Sequence, residues 1–347
     1  MDRKELFDCI QQLVMCHSPS GVEEEIDRCL IAQFEQLKRK WVLDQAGNII
    51  IKIPGVDSST SIAITAHKDE IGGIVKSIDN DGTVHIRKLG GAYPWVYGEG
   101  VVDLLGDNHV ISGILSFGSR HVSHESPQKV QQDEKPLLWE NVWVNTKQPK
   151  AALEQAGIRP GTRMVVGKHR KKPFSMGDYI ASYTLDNKAS LAILLALAAQ
   201  LKSPAVDTYL VASAKEEVGA IGAMYFTQRS RMDALVALEI CPKSSEYPID
   251  FDERPVLLSQ DGYGLYDEAL NQRLVDAAGV RNIQLQRATL SQFGSDASIA
   301  MKSGHVARAA CLSFPTNNTH GYEIAHMDSI LNCIPVLEQF CVDYRVD

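Results

Sequence analysis

Residues 3–16, RKELFDCIQQLVMC, place apolar side chains at helical spacing and stop before Ser18-Pro19. Ser20-Gly21-Val22-Glu23 reads as a capping box that opens a second helix through Leu37. Val42–Ile53 contains Asp44, Gly47 and Asn48 at a turn between two β-rich stretches. The apolar run Ser61–Ala66 predicts a strand that leads straight into His67-Lys68-Asp69-Glu70.

From about Gly72 to Val165 the pattern changes. Short β-type runs recur at Gly73–Lys76, Thr83–Arg87, Val101–Leu105, Val110–Phe117 and Asn141–Asn145, with turn signals at Asp81-Gly82 and Gly90-Gly91. Ser119–Lys135 is polar and reads as an exposed loop, and Pro149–Ala156 carries the block's one helix signal. Such a block predicts a small β-barrel or sandwich. Helices and strands then alternate. Helices are predicted at Lys188–Leu201, Gly219–Ser230, Asp267–Ala278 and Ser295–Lys302, and strands at Tyr209–Ala212, Ala234–Ile240, Asn282–Gln286 and Val306–Leu312. A last helix, Met327–Tyr344, is expected to kink or restart at Pro335. Residues 1–71 share this alternation. The fold class is therefore α/β with a largely buried sheet, in one discontinuous domain (1–71 and 166–347) interrupted by a β-rich insert (72–165).

Composition narrows the function classes. The 347 residues are 44% hydrophobic and carry a net charge of −8, which argues against a general nucleic-acid binder. Cys9, Cys16, Cys29, Cys241, Cys311, Cys333 and Cys341 are scattered and form no CxxC pair, as expected of reduced thiols in a cytoplasmic protein. The N-terminus lacks the apolar stretch of a signal peptide. Ala189–Leu201, the most apolar helix, is too short to span a bilayer, so no membrane anchor is expected.

Five places put acids or histidines in or just after apolar runs: His67 with Asp69, Asp186, the pair Glu216-Glu217, Glu239, and His320. In open α/β sheets, residues at the carboxyl ends of strands converge on ligands. Singly, each has an ordinary reading. Asp186 could cap the helix that follows it, Glu216-Glu217 could be solvated surface, and His320 could be a loop histidine. Glu239 is harder to dismiss, because a glutamate within a buried strand is costly unless paired or metal-bound. Together they fit a two-metal hydrolase site. Histidine nitrogens and carboxylates would hold two divalent ions, one carboxylate would be shared, and a spare glutamate would act as general base on a water.

AHKDEIGG (66–73), LDNKAS (185–190), EEVGAIGA (216–223), GSDAS (294–298) and PTNNTHGYEI (315–324) occur in that order. They resemble the M42 glutamyl aminopeptidase family, as does PSGVEEE (19–25). The resemblance implies a phosphorylase/hydrolase-like mixed sheet with helices on both faces and an inserted β-barrel-like dimerisation domain. It implies an aminopeptidase that removes N-terminal residues from short peptides through a metal-bridging water. By motif, His67, Asp186 and Glu239 would hold one metal and Asp186, Glu217 and His320 the other. Glu216 would be the general base, Asp69 would orient His67, and a cis peptide would follow Asp186. The two ions would be zinc, or cobalt or manganese, and subunits would assemble into dimers and dodecamers. Glu239 stands where most members have Asp, Lys68 where many have Met, and Lys215 where a neutral residue is usual. Strand alternation is expected to turn both lysines away from the site. A same-fold hydrolase of another amide or a sugar-linked substrate, and a non-catalytic scaffold, are the alternative readings.

Overall fold

A computed structural model describes residues 1–345. Helices α1 (Arg3–Val14) and α2 (Glu24–Gln36) come first, followed by β1 (Trp41–Leu43), β2 (Ile49–Ile53) and β3 (Asp57–His67). Six strands, β4 (Gly72–Ile78), β5 (Val84–Leu89), β6 (Gly100–Leu105), β7 (Val110–Ser116), β8 (Trp143–Asn145) and β9 (Arg163–Val166), close into a barrel in the order β4-β5-β8-β7-β6-β9. Short helices α3 (Pro94–Tyr97), α4 (Pro127–Glu134) and α5 (Lys150–Gln155) lie in its connections. The stretch expected to be a loop, Ser119–Lys135, thus contains a helix. Arg163–Val166, after the Pro160-Gly161 turn, is a further strand that the sequence reading did not single out.

The chain then returns to the large sheet through α6 (Lys168–Lys171), β10 (Phe174–Met176), β11 (Tyr179–Tyr183), α7 (Leu185–Gln200), β12 (Val206–Ser213), α8 (Ile221–Arg229) and β13 (Ala234–Pro242). Next come β14 (Val256–Asp261), β15 (Gly264–Leu265), α9 (Glu268–Val280), β16 (Gln286–Thr289), α10 (Asp296–Lys302), β17 (Ala309–Asn317), β18 (Tyr322–His326) and α11 (Met327–Asp343). The sheet has 12 strands, in the order β1-β2-β12-β3-β13-β17-β18-β11-β10, with β14 to β16 branching from β17. Strands β12, β3, β13 and β17 are mutually parallel at its centre.

Alternation along these strands builds two cores. Ile62, Ile64, Ala66, Val236, Leu238 and Ile240 face α1, α2, α7, α9 and α11. Ala63, Leu235, Ala237 and Cys241 face the layer that holds α8 and α10. Helix α7 is buried on every side from Leu185 to Ala198, and from Leu191 to Ala198 it has no polar face. Three expectations are corrected. Ser20 does not cap α2: the position before that helix is Glu23, without a side-chain cap, and the Ser20 hydroxyl bonds Asp69 instead. The strand expected at Asn282–Gln286 forms later, at Gln286–Thr289. Pro335 lies inside the single helix α11 and does not restart it. No helix among the described residues is long and apolar enough to cross a membrane.

Candidate metal centre

The parallel strands carry the candidate residues to one rim of the sheet. His67 is the last residue of β3 and pairs in register with Ser213, the last of β12. Glu216 and Glu217 follow two residues beyond, after Lys215 takes a left-handed conformation (φ 56°). Glu239 lies within β13 opposite Ser313 of β17, and His320 sits in the β17–β18 turn. Asp186 enters from the start of α7, where the Asp186–Asn187 peptide is cis.

Two groups of donor atoms result. Ligand atoms of His67, Asp186 and Glu239 lie within 4.8 Å of one another, and so do those of Asp186, Glu217 and His320. Asp186 belongs to both. Its Oδ1 is 3.0 Å from His67 Nε2 and its Oδ2 is 3.6 Å from His320 Nε2. Glu239 Oε1 is 3.8 Å from His67 Nε2, and Glu217 Oε2 is 3.8 Å from His320 Nε2. Glu216 stands outside both groups, with Oε2 4.0 Å from His67 Nε2.

His67 Nδ1 lies 3.1 Å from the backbone oxygen of Asp69. A carbonyl only accepts, so Nδ1 carries a proton, which leaves Nε2 as the nitrogen that would offer its lone pair to a bound ion. The Asp69 carboxylate also lies near this nitrogen, Oδ1 3.4 Å from His67 Nδ1, and has a further task. It accepts the Ser20 hydroxyl at 2.6 Å and the backbone N–H groups of Glu216 at 2.9 Å and Glu217 at 3.2 Å. Asp69 therefore ties the end of β3 to the turn that carries both glutamates.

Charge in this pocket is lopsided. Burial drives Glu216, Glu217 and Glu239 well above the usual carboxylate range; neighbouring carboxylates add to the rise and His67 opposes it. Burial alone would lower His67, but Glu239, Asp186 and Asp69 outweigh it and hold its pKa well above the ordinary value. Among the described residues, no lysine or arginine pairs with Asp186, Glu216, Glu217 or Glu239. Four carboxylates and two imidazoles converging without a cationic side chain are a donor set suited to divalent ions such as zinc, cobalt or manganese.

Both lysines flagged in the sequence stay out. Lys68 is buried and pairs with Asp27 and, at 3.0 Å, with Glu23, on the α2 side of the sheet. Lys215 projects from its left-handed turn, partly exposed.

Two acids that were given no role also border the cluster. Asp296 opens α10, bonds the Ser213 hydroxyl, and leaves its Oδ1 buried without a hydrogen-bond partner among the described residues. Burial pushes it up to about 6. Glu323, on β18, accepts the Asp186 backbone N–H and the His320 backbone N–H, each at 2.9 Å. Burial pushes it up to about 8. Asp296 follows a serine cap and looks like ordinary first-turn chemistry. For Glu323 the sequence offers only its place three residues after His320.

A sheet of this topology with a histidine–carboxylate cleft at its strand ends defines a hydrolase. The M42 glutamyl aminopeptidase family model matches residues 47–336, and the chain belongs to that family and is an aminopeptidase of it. It is 25% identical to the glutamyl aminopeptidase of Lactococcus lactis over 306 residues, covering 85% of this chain and 84% of that one. In structure it is similar to the aminopeptidase APDkam598 of Desulfurococcus kamchatkensis (TM-score 0.87, 23% identity, 99% of this chain and 96% of that one). It is also similar to the TET1 peptidase of Pyrococcus horikoshii, described as assembling into a tetrahedron or a large octahedral shell (TM-score 0.85, 19% identity, 98% and 100% covered).

Proposed function

We propose that this chain is a two-metal aminopeptidase that removes the N-terminal residue of short peptides. The observation that carries the reading is the pair of donor groups sharing Asp186, with Glu216 beside them and in neither. His67, Asp186 and Glu239 would hold one divalent ion, and Asp186, Glu217 and His320 the second. Bound there, the ions would polarise the scissile carbonyl and make a water acidic enough to be deprotonated near neutral pH.

Glu216 is the proton carrier. It takes the proton of the attacking water and returns it to the nitrogen of the departing amine. Asp69 fixes its backbone and that of Glu217 from below. Glu239 would supply its ligand oxygen from within β13. A cleft of about 530 Å³, bounded by His67, Glu216, Tyr263, Phe293 and His320, has room for the first residue of a peptide.

Residues 1–71 and 166–347 would form the catalytic domain and 72–165 a dimerisation domain. Exposed Val110 and Ile114 on β7 give that barrel an apolar contact face. Dimers would assemble further into a dodecamer, a reading supported by the dodecamer and the tetrahedron named for TET1. Seven free cysteines suit a reducing, cytoplasmic setting.

The test is a panel of aminoacyl p-nitroanilides with metal-loaded wild type and Glu216→Gln, alongside metal analysis. Wild-type turnover is expected, falling at least ~10²-fold in the variant with both metals retained. Two bound metals without turnover of any member of the panel would refute the reading.

A further inference from the structure

The barrel carries a second concavity beside the metal centre, with a volume of about 740 Å³. Its floor is apolar, formed by buried Ile86, Pro94 and Trp139. Its rim carries Lys76, Arg87 and Lys88, all exposed. Glu140 is the one acid on its wall among the described residues. None of the three rim cations has a side-chain hydrogen bond or ion pair among the described residues. In a chain of net charge −8, such a cluster is a local inversion of sign.

The cleft and the metal centre are joined by one stretch of chain. Strand β5 delivers Arg87 and Lys88, then turns through Gly90 and Gly91. A Cβ on Gly91 would come within 2.6 Å of His320 Cε1, and one on Gly90 within 3.2 Å of Glu217 Cβ. That turn therefore packs directly on two candidate ligands, and only glycine permits the approach. The chain continues into Ala92, which Trp139 pins by donating its indole N–H to the Ala92 oxygen at 2.9 Å. Lys88 is three residues from Gly91, at most about 10 Å of extended chain. A bound peptide covers the same span in about three residues.

We propose that this cleft holds carboxylates on the C-terminal side of the peptide, either its free terminus or acidic side chains about two to four residues past the scissile bond. The proposal rests on the aminopeptidase reading above. It makes the enzyme select for the downstream end of short or acidic peptides, independently of the residue it removes.

The test compares wild type with the Arg87→Glu/Lys88→Glu double variant and the milder Arg87→Gln/Lys88→Gln. Four substrates are used: leucine p-nitroanilide, which ends before the cleft, Leu-Ala-Ala-Ala as free acid, the same peptide as its amide, and Leu-Ala-Glu-Glu as its amide. Wild type is expected to show a KM roughly five- to tenfold lower for a carboxylate-bearing peptide than for the neutral amide. That gap should shrink in the Gln variant, close in the Glu variant, and close in about 0.5 M salt, with kcat little changed. A gap for the free acid alone identifies the terminus as the group held, and a gap for the Glu-Glu amide alone identifies side chains; either supports the proposal. Equal KM values in wild type, or a gap that survives charge reversal, overturns it while leaving p-nitroanilide turnover intact. No turnover of any substrate by metal-loaded wild type overturns the aminopeptidase reading and this proposal together.

Discussion

Glu323 accepts one backbone N–H from each of two candidate ligands, Asp186 and His320, through different carboxylate oxygens. Both amides are donors, so both oxygens are needed. Glu323→Gln would keep the volume but turn an –NH2 toward one of those N–H groups. Donor would then face donor in a buried site. Partners that orient metal ligands in this way cost roughly 10–100-fold in metal affinity when replaced. We expect Glu323→Gln to weaken one of the two bound metals by about that factor, read by competition with a chelating dye. Metal-free thermal stability should change much less, and unchanged affinity for both ions would contradict the role. The candidate ligands were legible because they break or end apolar runs: His67 closes SIAITA and Glu239 interrupts ALVALEI. Ser20, Asp296 and Glu323 were not. Ser20 and Asp296 mimic helix caps and first-turn acids, and only the folded chain shows that their partners are Asp69 and Ser213. For Lys68 the strand period was enough. Ala66 and Lys68 face α2, while Ala63 faces the α10 side, the side that His67 continues.

At the scale of elements, the central parallel strands β12, β3, β13 and β17 could be read from their uniform apolarity, as could the helices between them. Strands β10, β11, β14, β15 and β18 could not. They are short or lie toward the sheet margins, and several carry polar residues where partner strands supply the pairing. The β14–β15 turn and the segment leading into α10 wall the cleft beside the candidate metal residues, with Gly262, Tyr263, Ser291, Gln292, Phe293 and Ile299 in its lining. Among the described residues, no lysine or arginine lines that cleft. An acidic first residue would find no cation there, and apolar surface awaits an apolar side chain. Leucine, methionine and phenylalanine p-nitroanilides are expected to exceed the glutamate substrate in kcat/KM by at least ~10-fold. Preference for glutamate would contradict this. The same wall depends on Gly294, where a Cβ would come within 2.4 Å of the Tyr263 ring. Gly294→Ala should move that ring and change the ranking of side chains more than it changes turnover of alanine p-nitroanilide.

For the whole molecule, the question is what fastens the barrel to the large sheet. Part of the answer is a buried polar chain. Asp103 of β6 accepts His17 Nε2 at 3.0 Å, the Ser112 hydroxyl at 2.6 Å and the Lys168 backbone N–H at 3.2 Å. His17 Nδ1 lies 3.2 Å from Lys171 Nζ, which in turn grips both oxygens of Glu70 at 2.7 and 2.6 Å. Glu70 also accepts the Ser18 N–H at 2.7 Å. The β6 strand of the barrel is thereby joined to the segment after α1, to α6 and to the β3–β4 connection. Burial alone would raise Asp103, but its bonds from His17 and Ser112 win and bring it down from 3.8 to about 2. A carboxyl held below its unfolded value adds stability that is complete above pH 3.8 and is lost as pH falls through about 2. Burial also opposes the ionised form of Glu70, and Lys171 outweighs it, so Glu70 contributes with the same sign. Asp103→Asn keeps one acceptor and loses the charge, which should cost about 1–3 kcal/mol at neutral pH. Urea unfolding of metal-free protein at a series of pH values checks this. The gap between wild type and variant should be constant from pH 7 to about 5 and shrink between pH 3.8 and about 2, because only wild type still has that proton to gain. A gap that persists unchanged to pH 2 would mean that Asp103 acts by shape and not by charge. A gap near zero at neutral pH would mean that the barrel is held by its apolar contacts alone.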